Sequence, residues 1–199
     1  MNLNTQAYRI LKNIKRLFNG SKDHRGQLLA QLPKNARCAE IGVWKGGFSS
    51  RILTESQPQE LHLIDPWAFQ SEFSDRIFGG SSAKGQSDMD AIYSDVCAKF
   101  AANENVKLHR GYSDAIMPQF EDHYFDWVYI DGNHHYEYVL QDLRLCMAKV
   151  KKSGIIAGDD YTWGRKYDFP VRRAVKDFLK EIDYKGKLQL FQSQFIIRL

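Results

Sequence analysis

The sequence predicts an α/β fold in which a mostly parallel sheet is covered by helices on both faces. Two observations carry this. From Ala36 onward, short β-type runs alternate with helical ones, the rhythm of a parallel sheet with crossover helices. The chain has 199 residues, enough for one domain with a substantial core but too few for a second catalytic domain.

Ahead of that rhythm, residues 1–35 are expected to form an N-terminal helical segment, with 36–199 as the main domain. Tyr8 to Phe18 reads as a basic amphipathic helix ending near Gly20, suited to rest on the domain or on a partner subunit of a homo-oligomer. Strands are expected at Arg37–Ile41, Glu60–Ile64, Val106–Arg110, Trp127–Ile130 and Ile155–Ala157, each ending in or beside a glycine or a polar residue. Helices are expected at Phe48–Thr54, Met89–Ala101, Tyr138–Val150 and, after Pro170, Val171–Lys180. In the Met89 helix, Met89, Ile92, Tyr93, Val96 and Phe100 recur at three- and four-residue steps, which reads as core packing, with Ser87 and Asp90 as a capping pair. Leu188–Phe191 and Gln194–Leu199 read as a terminal β-hairpin. The long stretch from Pro66 to Ser87, rich in Gly and Ser and carrying Phe69, Phe73 and Phe78, reads either as a lid over a ligand or as a disordered insertion.

Composition excludes several classes. A net charge of +4 and a pI near 8.9 are too modest and scattered to require nucleic acid. No apolar run approaches the roughly 20 residues that cross a bilayer, and no secretory signal is recognisable, so neither a membrane span nor export is expected. Cys38, Cys97 and Cys146 lack CxxC spacing and suit reduced thiols in a cytoplasmic protein. No Ser lies in a GxSxG elbow, so no nucleophilic triad is indicated.

The chemistry concentrates at strand ends. Glu40-Ile41-Gly42-Val43-Trp44-Lys45-Gly46-Gly47 turns from the first strand into its helix, and its glycines suit close passage of a ligand. It is not a dinucleotide GxGxxG, because Val43, Trp44 and Lys45 follow Gly42. Glu40, an acid at the end of a buried strand, needs a cation or donors, and an ammonium would satisfy it. Asp65 ends the second strand, where a carboxylate can accept from both ribose hydroxyls or can cap the turn with Pro66. Tyr112 and Ser113 follow the third strand and suit the rim of an adenine pocket, with a helix N-cap by Ser113 or Asp114 as the alternative.

Asp131 follows the fourth strand, and Asp159 and Asp160 follow the fifth. In a parallel sheet all three emerge at the carboxyl edge, where ligands bind. Three converging carboxylates repel one another, and a hard divalent cation such as Mg²⁺ resolves the repulsion. The alternative is that Asp131 pairs with a nearby Arg or Lys and that Asp159 or Asp160 caps a turn. His134, three residues beyond Asp131, is near enough to face the same pocket as a general base. Tyr136, Tyr161 and Trp163 are aromatic walls for an acceptor pocket or ordinary packing.

Taken together, these motifs resemble the class I S-adenosylmethionine-dependent methyltransferases, in particular the metal-dependent macrocin-type O-methyltransferases of sugars and small molecules. The resemblance runs from about Cys38 to Trp163. Its most specific blocks are Tyr129-Ile130-Asp131-Gly132-Asn133-His134-His135-Tyr136 and Gly154-Ile155-Ile156-Ala157-Gly158-Asp159-Asp160-Tyr161. It implies a Rossmann-like, seven-stranded, mostly parallel sheet with a C-terminal antiparallel hairpin. It further implies methyl transfer from S-adenosylmethionine to a small hydroxylated acceptor. Glu40, Gly42, Gly46, Asp65, Tyr112, Ser113 and Asp131 would surround the cofactor, and Asp131, Asp159 and Asp160 would hold Mg²⁺. His134 and Asp131 would be catalytic. Two other readings stay open: metal-independent transfer to nitrogen or carbon, and a silent nucleoside-binding module with a protein partner. The segment before Ala36 is shorter than in larger relatives, so the acceptor's identity does not carry over.

Overall fold

The computed structural model describes residues 23–72 and 83–199. The helix expected over Tyr8–Phe18, and Phe73 and Phe78 of the long loop, lie outside the described residues. Among those described, a short helix α1 (His24–Leu29) precedes strand β1 (Arg37–Ile41). Helix α2 (Gly47–Arg51) continues into a π turn over Ile52–Ser56, followed by β2 (Glu60–Asp65) and α3 (Gln86–Phe100). Next come β3 (Val106–Arg110), the single-turn α4 (Ser113–Ile116), β4 (Phe125–Ile130) and α5 (Tyr136–Lys149). The chain closes with β5 (Val150–Gly158), α6 (Pro170–Glu181), β6 (Gln189–Phe191) and β7 (Gln194–Arg198).

The seven strands form one sheet in the order β3-β2-β1-β4-β5-β7-β6. The first five run parallel, and β7 lies antiparallel to both β5 and β6, the C-terminal hairpin expected from the sequence. Strand alternation divides the core into two layers. Ala39, Ile41, Val128, Ile130 and Ile156 face Val139, Leu143, Val175 and Phe178 of α5 and α6. Their odd-even neighbours Cys38, Trp127, Tyr129, Ile155 and Ala157 face Leu28, Phe48, Ile52, Val96 and Phe100 on the other side. Burying a side chain of this kind stabilises the fold by about 1.5–3 kcal/mol. Leu28, Leu29 and Leu32 are buried among them, so the chain joins the packed unit before Ala36.

Some local expectations change. β4 and β5 are longer than expected because a register shift between Phe125 and Trp127 lets Val150 pair before the apolar run begins. Ser87 and Asp90 do not cap α3. Its N-cap is Gly85, the backbone N–H of Lys84 donates to Asp88, and Asp90 takes the side chains of Gln86 and Arg110. Nor does Ser113 or Asp114 cap α4, because Tyr112 holds that position and Ser113 is already helical. Cys38 and Cys146 are buried, Cys97 is half-buried, and all three are free thiols. No described helix is long and apolar enough to cross a membrane.

Candidate active site

The strand order reverses direction at β1 and β4, and a crevice opens there at the carboxyl ends of the strands. It holds a cavity of about 830 Å³, the size of a cofactor site. Register explains why the acids gather. Ile41 pairs with Ile64 on one side and with Ile130 on the other, and Ile130 pairs with Gly158. Gly42, Asp65, Asp131 and Asp159 are therefore each the last residue of a strand or the first beyond it, in one row.

Glu40 lies in the cavity wall but is buried, and its carboxylate accepts the Ser49 hydroxyl from α2. Burial pushes its pKa up to about 8, against the pull of Ser49 and of the Arg25 charge. Such an acid stands ready to ionise when a cation arrives. Gly42 has φ +89°, and a Cβ there would strike the backbone carbonyl of Asp131. The residue serves close approach of β1 to β4 as well as lining the cavity. Gly46 differs: a Cβ there would come within 2.9 Å of the Phe100 ring, and the residue does not line the cavity.

Asp65 caps the turn that follows it and also reaches the glycine turn. One carboxylate oxygen accepts from the backbone N–H groups of Val43 and Trp44 at 2.9 and 3.0 Å, the other from that of Trp67 at 2.7 Å. It thus pins the glycine turn while facing the cavity. Burial raises its pKa, and these three N–H groups oppose the rise. Tyr112 is exposed at the cavity rim, and Ser113 donates its hydroxyl to Asp142 on α5.

The three aspartates do not behave alike. Asp159 is turned away from the cavity: Oδ2 accepts Nε and Nη2 of Arg25 at 3.0 and 2.6 Å, and Oδ1 accepts the Ser193 hydroxyl and the Asp160 backbone N–H. Burial alone would raise its pKa, but Arg25 above all, with the Asp160 N–H, holds it below the ordinary carboxylate value. Asp131 accepts Arg25 Nη2 at 2.7 Å, so the arginine bridges the two acids. Burial and the neighbouring Asp159 and Asp160 push the Asp131 pKa well up, with Arg25 opposing. Asp160, in the left-handed region at φ +59°, instead meets Nε2 of His134 at 3.2 Å. One ligand atom each from Asp131, His134 and Asp160 falls within 4.8 Å of the others.

Of the three aromatic residues singled out, Trp163 lines the cavity, its ring 5.4 Å from that of His134. Tyr161 is buried against Phe195, and the Tyr136 hydroxyl donates to Asp177, so neither walls the cavity. Two site residues escaped the sequence reading. Asp142 sits on the buried face of α5 with Val139, Leu143 and Cys146, and an acid on an apolar stripe was the available signal. Burial raises its pKa to about 7, with Ser113 opposing. Arg25 gave no comparable signal. Asp23, which caps α1 by accepting the Gly26 N–H, marks a helix start without showing where the arginine goes.

A parallel sheet ending in an antiparallel hairpin, with a cavity at its reversal point and acids closing β1 and β2, is the architecture expected of a class I S-adenosylmethionine-dependent methyltransferase. A methyltransferase-domain family model matches residues 39–161, more than half of the chain, and the protein belongs to that family. Solved structures share the fold. The O-methyltransferase NovP superposes with a TM-score of 0.59 at 20% identity, covering 93% of this chain and 79% of its own. A Methanococcus maripaludis protein described as an S-adenosyl-L-methionine-dependent methyltransferase gives 0.59 at 16% identity, covering 94% and 92%. The trans-methyltransferase CalH, solved with S-adenosylhomocysteine, gives 0.55 at 14%, covering 88% and 54%. No curated protein matches the sequence at a significant level.

Proposed function

We propose that the protein transfers a methyl group from S-adenosylmethionine to a hydroxyl of a small acceptor, of sugar or natural-product type, with a divalent cation such as Mg²⁺ at the acid cluster. The observation that carries this is the convergence of Asp131, His134 and Asp160 beside the cavity. The two carboxylates are the hard oxygen donors such a cation takes and fit the group, with the imidazole beside them as a base. Asp131 and Asp160 would hold the ion, while Asp159, occupied by Arg25 and Ser193, positions Asp160 through its backbone N–H. The likeness in fold to an O-methyltransferase supports the same reading.

A bound divalent ion supplies Lewis acidity, lowering the pKa of a hydroxyl near it. The chain's own residues do the rest. Glu40 receives the cofactor ammonium, Asp65 faces its ribose, and Tyr112 and Ser113 border its adenine. His134 takes the proton as the acceptor oxygen attacks the methyl carbon; the carbon–sulfur bond breaks and its electron pair stays on sulfur. Trp163 beside His134 excludes water and walls the acceptor.

Turnover with a panel of hydroxylated acceptors tests the proposal. Chelator should abolish it, Mg²⁺ should restore it, and Asp160→Asn should lower it at least about 100-fold. Activity indifferent to chelator and to Asp160→Asn would overturn the metal's part. One observation favours that second outcome, metal-free transfer to nitrogen or carbon: Arg25 already pairs with Asp131 and Asp159 at 2.7 and 2.6 Å, which offsets the repulsion a metal would otherwise relieve.

A further inference from the structure

Arg25 has a use beyond neutralising its two acids. Its guanidinium lies over the Phe48 ring, 4.8 Å from the centroid, and lines the same cavity as Glu40. Nε and Nη2 are spent on Asp159 and Asp131. Among the described residues Nη1 has no hydrogen-bond partner, and the side chain keeps 36% of its surface exposed. Two N–H groups of a fixed cation are thus left over at the cavity wall.

The cavity's charge decides what they receive. Among the described residues Glu40, Asp65, Glu72, Asp114, Asp131, Asp142 and Asp160 line it, against Arg25 and Lys45 as the only lysine or arginine side chains. S-adenosylmethionine carries an ammonium and a carboxylate on adjacent bonds of one carbon. The ammonium has acids to choose from, whereas in so acidic a cavity the carboxylate is best placed beside a cation. Lys45 is exposed, its ammonium beside the Trp44 ring. Arg25 is half-buried, and its charge is felt by Glu40, which places a cation and an acid side by side as the zwitterion requires.

We infer that Arg25 of α1 is the seat of the cofactor's carboxylate, Nη1 donating to it while Nε and Nη2 hold Asp159 and Asp131. The segment ahead of β1 is then part of the cofactor site, and the residue that grips the methionine end of the cofactor also sets two acids of the acceptor side. This inference rests on the S-adenosylmethionine reading of the cavity and needs neither the metal nor the acceptor.

The test compares two ligands by calorimetry on the full chain: S-adenosylhomocysteine, which has the amino-acid half, and 5′-methylthioadenosine, which lacks it. Arg25→Gln should weaken S-adenosylhomocysteine roughly 10- to 100-fold, the worth of a charge-assisted hydrogen bond, and leave methylthioadenosine within about twofold. Arg25→Lys should fall between, keeping the charge without the fork. Methylthioadenosine binding also reports whether each variant is folded. Equal weakening of both ligands would make Arg25 a brace for Asp131 and Asp159 only, and unchanged S-adenosylhomocysteine binding would remove it from the site; either result overturns the inference. Wild-type protein that binds neither ligand would instead sink the cofactor reading itself.

Discussion

Glu40 offers a perturbation whose size follows from the structure. A carboxyl buried at the end of β1, with Ser49 as its hydrogen-bond donor, has its pKa raised to about 8 from an ordinary 4.5. Between those two values the unfolded chain has lost the proton and the folded chain keeps it. Folding therefore takes up a proton, and the stability this group contributes falls as pH rises through that window. Glu40→Gln abolishes the titration while preserving shape and an acceptor for Ser49. Integrated from about pH 5.5 to pH 8, the loss confined to wild type is about 3 kcal/mol, at 1.36 kcal/mol per pH unit and with the folded group half-ionised at the upper end. For a chain of this size that is roughly 6–12 °C in Tm. The assay is thermal unfolding of both proteins, without cofactor, across that range. Titrating groups that do not act on Glu40, Asp142 among them, contribute equally to both and cancel in the difference. The expected result is a variant more stable than wild type at pH 8, the gap closing as the solution is acidified. Parallel curves, or a gap that widens in acid, would refute the burial argument.

The same carboxyl should release about one proton near pH 7 when S-adenosylhomocysteine binds, because the ammonium favours its ionised form. Calorimetry in buffers of different ionisation enthalpy measures this, and no difference between buffers would disprove it. Gly42→Ala combines positive φ with a clash against the Asp131 backbone and should cost roughly 3 kcal/mol, read as a lower urea midpoint. Asp142→Asn, which keeps a carbonyl for the Ser113 hydroxyl, should gain on wild type steadily as pH rises from the ordinary carboxylate value of 3.8 to about 7, where the folded group holds a proton that the unfolded chain has lost, and the gap should level off above about 7. A pH-independent difference in unfolding midpoint would contradict that assignment.

Much of the framework was legible because it rests on periodicity. β1 and β3 fall at their expected bounds, and the terminal hairpin was marked by two short apolar runs. The row of acids was readable for the same reason: a parallel sheet brings strand ends to one edge, so Glu40, Asp65, Asp131 and Asp160 meet in one cavity. What escaped was set by tertiary contacts. Arg25 stands 134 positions from Asp159, and no local pattern shows which distant carboxylate a lone arginine reaches. Spacing also could not show that Gly46 packs against Phe100. Asp159 and Asp160 are adjacent in sequence, yet the left-handed backbone at Asp160 sends their carboxylates to different partners.

Asp159 joins segments that the chain makes far apart: Arg25 ahead of the first strand and Ser193 in the turn of the terminal hairpin. Contacts so distant in sequence close large loops and form late. Arg25 offsets the repulsion between Asp131 and Asp159 only where α1 is docked. Fraying at either edge would release the same carboxylate. Local opening at α1 or at the β6–β7 turn is then enough to silence the site while the central strands remain paired, and hydrogen exchange at those two places should track loss of activity more closely than global unfolding does.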